Sequence, residues 1–216
     1  MKKFLKRILD LDNPFYNFCR KLAWIFVINI LFIITSLPIV TIGASATAMY
    51  TVCNKLIEER EIRLFRDYFT AFKDNFWIST GMWMIVAILG FILFLDVQYV
   101  FFFMNGGFAI LMRIATVLVA AAFVMIANGI FPVIAKFDVT FRETITTIFS
   151  MIWEHPWLSL EGLVFTVVIF GGSFWIVGSG QFLGLFILFP FLSFGLHALM
   201  QSYLYKQMFS YYISED

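Results

Sequence analysis

One long uncharged run is the most informative part of this chain for its fold. It covers residues 22–54 and reads LAWIFVINILFIITSLPIVTIGASATAMYTVCN. It holds no Asp, Glu, Lys or Arg, and as one helix at 1.5 Å per residue it would be about 50 Å long. That is too long for a single crossing of a bilayer core about 30 Å thick. Pro38 lacks an N–H and biases Leu37 away from helix, so we expect the run to break there. The stretch predicts either two crossings, 22–37 and 39–54, or one crossing followed by a re-entrant segment.

The composition of the whole chain is that of an integral membrane protein. Its 216 residues are 62% hydrophobic, 20% aromatic and 13% charged, whereas soluble domains are roughly 45–50% apolar and 25% charged. A soluble domain of this size could not bury 29 Phe and 6 Trp in one core, and a disordered chain has the opposite composition. The net charge of +1 gives no basic field for nucleic acid. The expected partner is therefore the lipid bilayer.

Four further segments reach the length of about 20 apolar residues that a spanning helix needs. They lie at 77–95, 108–131, 158–177 and 182–204. The sequence therefore predicts an all-α, polytopic transmembrane helical bundle in one domain, 1–216, with about six spans and five as the fallback count.

Basic residues set the predicted orientation, because Lys and Arg concentrate in cytoplasmic loops. The N-terminal segment 1–21 contains six of them and the polar stretch 55–73 contains five, so both flanks of the first apolar run belong on one side. Lys136, Arg142 and Lys206 fall on that same side, which then holds 14 of the 15 basic residues. We expect a multi-pass protein with cytoplasmic N- and C-termini.

A repeated motif precedes two of the predicted spans. Phe65-Arg66-Asp67 is matched 76 residues later by Phe141-Arg142-Glu143. Both are followed by apolar residues at helical spacing and then by Trp, which predicts two cytoplasmic amphipathic helices. Thr140 and Glu143 also form a capping box that would start the second one. The pattern indicates either a parallel internal repeat, as in some transporters, or the common appearance of interfacial helices.

Several N-terminal motifs resemble one known family. They are Asn13-Pro14, the run from Leu37 to Ala44, the small-residue stretch Thr47-Ala48-Met49-Tyr50, and the segment from Phe69 to Phe76. Together they resemble the YesL family of bacterial integral membrane proteins, most strongly over residues 13–80. The resemblance implies a multi-span protein of the bacterial cytoplasmic membrane without an assigned activity. Such proteins are often encoded beside genes for carbohydrate uptake, including binding-protein-dependent sugar transporters. It supplies no catalytic residues.

Polar residues within the predicted spans carry two alternative interpretations each. Thr41, Ser45 and Thr47 lie in the small-residue helix after Pro38, where they either pack helices closely or line a substrate path. Asp96 and Arg113 face each other across one predicted hairpin, where we expect an ion pair, with a substrate or ion contact as the alternative.

Two further ionisable groups are candidates for proton coupling. Glu161 lies one turn inside a span, where compensation of the helix dipole is the expected role. His197 shares a helix face with Gln201, which favours a hydrogen-bonded packing role. Proton transfer by either side chain is the alternative interpretation.

Motifs for enzymatic chemistry or energy coupling are missing from the sequence. It has no P-loop and no H-E-x-x-H pattern, and its two His and two Cys show no metal-ligand spacing. We therefore predict a protein that is not an enzyme and needs no cofactor or metal.

Three hypotheses for function follow. The first is a non-catalytic accessory component of a carbohydrate uptake system, whose cytoplasmic helices dock a sugar-transporter permease or ATPase subunit. The second is an autonomous secondary transporter or channel for a small polar solute. In the third, the amphipathic helices only lie on the bilayer surface. The docking residues predicted under the first hypothesis are Arg66, Phe69, Phe72, Arg142, Ile145 and Ile148.

Overall fold

A computed structural model describes the backbone of residues 14–58, 60–172 and 185–213, and the side chains of 20–58, 60–172 and 193–210. Within these ranges the chain is helical and contains no strand. Most of the predicted basic N-terminus, 1–21, and the adjoining ends of the predicted spans 158–177 and 182–204 lie outside the described residues. The α-helices of the described chain are α1 Pro14–Thr35, α2 Ile42–Ile57, α3 Leu64–Asp74, α4 Phe76–Phe102, α5 Gly107–Lys136, α6 Phe141–Glu154, α7 Pro156–Thr166 and α8 Leu185–Ile213.

Two of these helices are long and apolar enough to cross a membrane. They are α4 with 27 residues and α5 with 30, and only 6% and 11% of their most apolar windows are buried within the protein. A core helix of a soluble protein would be buried instead, so this exposure supports a membrane protein. A shorter apolar helix runs over Pro156–Gly171, ending in a π-helical turn. The count of six spans and the cytoplasmic placement of the termini stay predictions.

The predicted break at Pro38 is confirmed. Helix α1 ends at Thr35, a 3-10 turn covers Ile39–Thr41, and α2 begins at Ile42. The break lies where the sequence predicts it, but both helices extend beyond the predicted boundaries on their far sides. With 16 residues, α2 is about 24 Å long. It falls short of the hydrocarbon thickness of about 30 Å, so the choice between a second crossing and a re-entrant segment stays open.

Helix α2 lies at the centre of the bundle. It packs against α1, α3, α4, α5 and α8, and every residue from Gly43 to Tyr50 is buried. Two clusters form the core. One surrounds α2 and includes Ile28 of α1 and Tyr68 of α3. The other joins Met82 of α4 to Ile148 of α6 and to residues of α5 and α8.

The two short helices α3 and α6 have the predicted amphipathic pattern, and the capping box at the start of α6 is confirmed. The Thr140 hydroxyl accepts from the Glu143 N–H at 3.5 Å, and the Glu143 carboxylate accepts from the Thr140 N–H at 2.7 Å. The hydrogen bonds that the Thr140 N–H and the Thr140 hydroxyl donate to the Glu143 carboxylate hold the pKa of Glu143 below its ordinary value. Each short helix leads directly into an apolar one, α3 into α4 at Asn75 and α6 into α7 at His155.

Candidate functional site

The hydroxyl groups of the predicted substrate path are used inside the protein. Thr41 Oγ1 donates to the carbonyl oxygen of Thr35 at 2.6 Å, and Ser45 Oγ donates to that of Thr41 at 2.9 Å. Thr47 and Ser79 share a hydrogen bond of 2.7 Å between their hydroxyls, and both side chains are fully buried. This arrangement supports the packing interpretation of these residues, because a ligand would have to displace an existing hydrogen bond.

Close helix packing explains the small residues of α2. A Cβ placed on Gly43 would overlap the carbonyl oxygen of Ser79 and lie 2.7 Å from the Cβ of Trp83, both in α4. The indole N–H of Trp83 donates to the carbonyl oxygen of Ile39 at 2.8 Å. The turn between α1 and α2 is therefore attached to α4 within the first third of that helix.

The expected ion pair between Asp96 and Arg113 is wrong: no salt bridge joins these two described side chains. Asp96 accepts from the Thr116 hydroxyl at 3.0 Å. Arg113 Nη2 donates to the carbonyl oxygen of Met104 at 3.1 Å, and its guanidinium lies 5.8 Å from the ring centre of Phe101. The last carbonyl groups of a helix have no partner within it. At the end of α4 those carbonyls attract the guanidinium away from Asp96.

A polar network lies between α5, α7 and α8. Asn128 Nδ2 donates to Thr166 Oγ1 at 2.8 Å, and Thr166 Oγ1 lies 2.9 Å from His197 Nε2. Gln201 Nε2 donates to the carbonyl oxygen of Gly162 at 2.9 Å. Interhelical hydrogen bonds of this kind hold helices together inside a membrane. The network matches the packing role expected for His197 and Gln201.

The two candidates for proton coupling are not brought together. Glu161 is exposed on α7, whereas His197 is buried and bonded to Thr166. Gly162, the residue after Glu161, faces α8 so closely that a Cβ there would lie 3.0 Å from Gln201 Oε1. Glu161 therefore points away from the polar network, and a joint role with His197 has no structural support.

The predicted docking residues divide between the surface and the core. Arg66, Phe69, Arg142 and Ile145 are exposed on α3 and α6. Ile148 is only 2% exposed and belongs to the second core cluster. The prediction that Ile148 is a docking residue is therefore wrong. Helix α6 has apolar residues on its inner and its outer side, and Ile148 lies on the inner side, against α5. Phe72 is partly buried against the first cluster.

The burial of α3 recurs in α6 at the spacing of the sequence motif. Phe65 and Phe141 are both exposed, Tyr68 and Thr144 are both fully buried, and the pair Trp77 and Trp153 is 83% and 88% exposed. The same face of each short helix therefore contacts the bundle. Exposed apolar residues beyond the predicted set are found on both helices. They are Phe65, Phe141, Phe149 and Trp153.

A charged cluster at the ends of α2 and α5 was missed by the sequence analysis. Glu58 lies 2.6 Å from Lys136 Nζ and 2.7 Å from Arg60 Nε. Desolvation raises the pKa of Glu58, but the hydrogen bond from Lys136 and the charges of Arg60 and Lys206 together lower it below its ordinary value. The glutamate is therefore held in its ionised form among three cations.

A second ion pair fastens α3 to α2. Asp67 lies 3.0 Å from Lys55 Nζ and accepts from the Arg63 N–H at 2.9 Å. Desolvation raises the pKa of Asp67, but these two hydrogen bonds and the Lys55 charge lower it overall. The sequence indicated only that the charged residues of both clusters share one predicted side of the membrane. It did not indicate which residues pair.

The fold thus defines an all-helical protein with membrane-length apolar helices and two helices packed beside them. Residues 25–97, from α1 into α4, match a family model described as a protein of unknown function, DUF624. Over 181 residues the chain is 26% identical to the "Uncharacterized protein YesL" of Bacillus subtilis (strain 168), covering 81% of this chain and 85% of that protein. No solved structure matches the chain. The two matches confirm the resemblance to the YesL family.

Proposed function

We propose that this chain is a non-catalytic integral membrane protein that acts as an accessory component of a carbohydrate uptake or utilisation system. The observation that carries the proposal is the pair of helices α3 and α6, which each keep an exposed apolar face. The carbohydrate assignment itself rests on the resemblance to the YesL family.

Both helices are anchored on one side and open on the other. Tyr68 and Ile148 fix them to the bundle, while Phe69 and Ile145 face outward. Because the anchored faces are buried, the outward faces are held in place before a partner arrives, and this lowers the entropic cost of association.

Charge near these faces suggests the chemistry of the partner. Arg66 and Arg142 stand at matching positions of the motif, each three residues before the outward apolar residue. A complementary partner would present an apolar side chain flanked by carboxylates. We assign this partner surface to a cytoplasmic segment of a sugar-transporter permease or ATPase subunit.

Affinity capture from native membranes, followed by mass spectrometry, tests the accessory role. The wild-type chain is expected to recover a transporter subunit at constant stoichiometry. Phe69→Asp, alone or with Ile145→Asp, should lower that recovery by more than about tenfold, since aromatic residues at the centre of an interface contribute most of its binding energy.

Thr70→Asp is the matched control, because Thr70 is exposed on the same helix and the variant adds the same charge. It should leave recovery unchanged. Recovery of the wild-type chain alone, or equal recovery with Phe69→Asp, would contradict the accessory role.

The alternative function is an autonomous secondary transporter or channel for a small polar solute. It rests on the other interpretation of the network of Asn128, Thr166 and His197, in which the buried His197 transfers a proton instead of only packing the helices. Flux into liposomes containing only this chain, lowered by His197→Gln and by Asp96→Asn but not by Phe69→Asp, would support this alternative over the accessory role.

A further inference from the structure

A cavity of about 310 Å³ opens where α2 and α5 end beside the C-terminal half of α8. Its walls combine polar and apolar groups. Ile57 and Phe209 supply apolar surface, and the polar groups come from Asn54, Glu58, Lys136, Ser202, Lys206 and Ser210. The cavity is separate from the polar network between the helices and from the exposed faces of α3 and α6.

Among the described residues that line this cavity, positive charge exceeds negative charge. Glu58 is the carboxylate that lines it, and Lys136 and Arg60 are both paired with that one group. Lys206 donates to the carbonyl oxygen of Ile57 over 3.5 Å, and within the described part of the chain no carboxylate lies within 4.0 Å of its ammonium group. The surplus charge of Lys206 is therefore available to an anion.

Two residues that line the cavity carry buried polar atoms without hydrogen-bond partners among the described residues. Ser202 is fully buried, and its hydroxyl has no hydrogen-bond partner among the described residues; the same is true of the buried Asn54 Nδ2. A buried polar group without a partner is unfavourable, because it has lost its hydrogen bonds to water, so such groups are rare unless a ligand or water satisfies them. Both atoms lie on residues that line the cavity.

Four of the polar groups, those of Asn54, Lys136, Ser202 and Lys206, share one property: each can donate a hydrogen bond to the same ligand. An ammonium group and an amide nitrogen donate only, and a hydroxyl can rotate to donate. Several donors around one cavity, with surplus positive charge, match an oxyanion with several acceptor oxygens, as in phosphate recognition. Basic pockets between helices on the cytoplasmic side of membrane proteins bind lipid headgroups in this way.

We propose that this cavity binds a phosphate group, with Lys206, Ser202 and Asn54 as direct donors and Lys136 as a second cation. The phosphate belongs either to the headgroup of an anionic phospholipid or to a soluble phosphate. Both sources present the same oxygens to the same donors.

Two probes distinguish these sources on the purified full-length chain. Inorganic phosphate is titrated at constant ionic strength while the thermal unfolding temperature is followed. Phosphatidylglycerol is added to the detergent-solubilised protein, with phosphatidylcholine as the control lipid, and retained lipid is measured by native mass spectrometry. Stabilisation by inorganic phosphate indicates the soluble source, and selective retention of phosphatidylglycerol indicates the lipid.

Three variants decide whether binding occurs in this cavity. Ser202→Ala removes a hydroxyl that makes no hydrogen bond within the described protein, so it should fold normally. Ser202→Ala and Lys206→Gln should each weaken binding of the effective probe by about tenfold, the effect of losing one hydrogen bond to a charged group. Lys73→Gln, at an exposed lysine of α3, should bind like the wild type. Absence of binding by both probes, or equal binding by all variants, would overturn the proposal.

Discussion

Helix α2 and the C-terminal half of α4 bury and expose opposite kinds of side chain. In α2, small and polar residues such as Ala44, Ser45 and Thr47 are buried. In α4, large apolar residues such as Phe91 and Ile92 are exposed. A soluble protein shows the reverse. Large apolar side chains therefore occur both in the core and on the outer surface of this bundle, and small or hydrogen-bonded residues mark the close helix contacts of α2, as expected where lipid is the solvent.

The largest expected effect tests this comparison within α4 itself. Met82 is buried in the second core cluster, whereas Ile92, ten residues later on the same helix, is exposed. Met82→Ala should lower the free energy of unfolding by about 2–5 kcal/mol, because it leaves a cavity. Ile92→Ala should change it by no more than about 0.5 kcal/mol.

Thermal or denaturant unfolding of both variants in one detergent provides the measurement. Equal losses of stability would break the comparison, because they would place Ile92 in a protein contact that the structure does not show.

A smaller change in the free energy of unfolding, with opposite signs at two glycines, tests the difference in packing between α2 and α4. A Cβ at Gly43 of α2 would overlap Ser79, whereas a Cβ at Gly81 of α4 meets no atom within 4 Å. Gly43→Ala should destabilise the protein by about 1–3 kcal/mol through overpacking. Gly81→Ala should stabilise it by about 0.5–1 kcal/mol, since alanine favours helix.

The same unfolding assay reads both glycine variants. If Gly43→Ala were as stable as the wild type, α2 and α4 could not be as close as the structure places them.

The smallest change in stability is expected at the C-terminal end of α2, where ion pairs follow the buried residues of the helix. The pKa of Glu58 is lowered in the folded state. Its contribution to stability is therefore present above the ordinary glutamate pKa of 4.5, and is lost as pH falls through the lower pKa of the folded state. Stability of the wild type should drop over that range.

Glu58→Gln should be less stable than the wild type at neutral pH and should lose less on acidification. Unfolding temperatures at several pH values check this, and Glu161→Gln is the control because Glu161 is exposed. Parallel pH curves for the wild type and Glu58→Gln would contradict the assigned role of the glutamate.

Local features of the fold could be predicted from the sequence. Pro38 breaks the first apolar run, and the Thr140–Glu143 capping box starts α6, because both effects act between residues close in the chain. The amphipathic helices were predictable for the same reason. Their periodicity identifies the apolar positions. It does not indicate which of these positions face the protein and which face outward, so Ile148 was predicted to face outward although it is buried.

Contacts between distant parts of the chain could not be predicted. Glu58 and Lys136 are 78 residues apart, and no spacing rule joins them. Asp96 and Arg113 were expected to pair because their charges are opposite, but the free carbonyl groups at the end of α4 compete for the guanidinium. The unpaired hydroxyl of Ser202 depends on the shape of a cavity, which a linear sequence does not specify.

The bond between Thr47 and Ser79 has a consequence for the biosynthesis of the protein. The two residues are 32 positions apart, and at about 5–20 residues per second the ribosome needs roughly 2–6 s to make that segment. During this interval α2 has been made and Ser79 has not, so the Thr47 hydroxyl must use another partner, such as water or a carbonyl group of its own helix. The order of translation therefore makes α4 the element that completes the first hairpin.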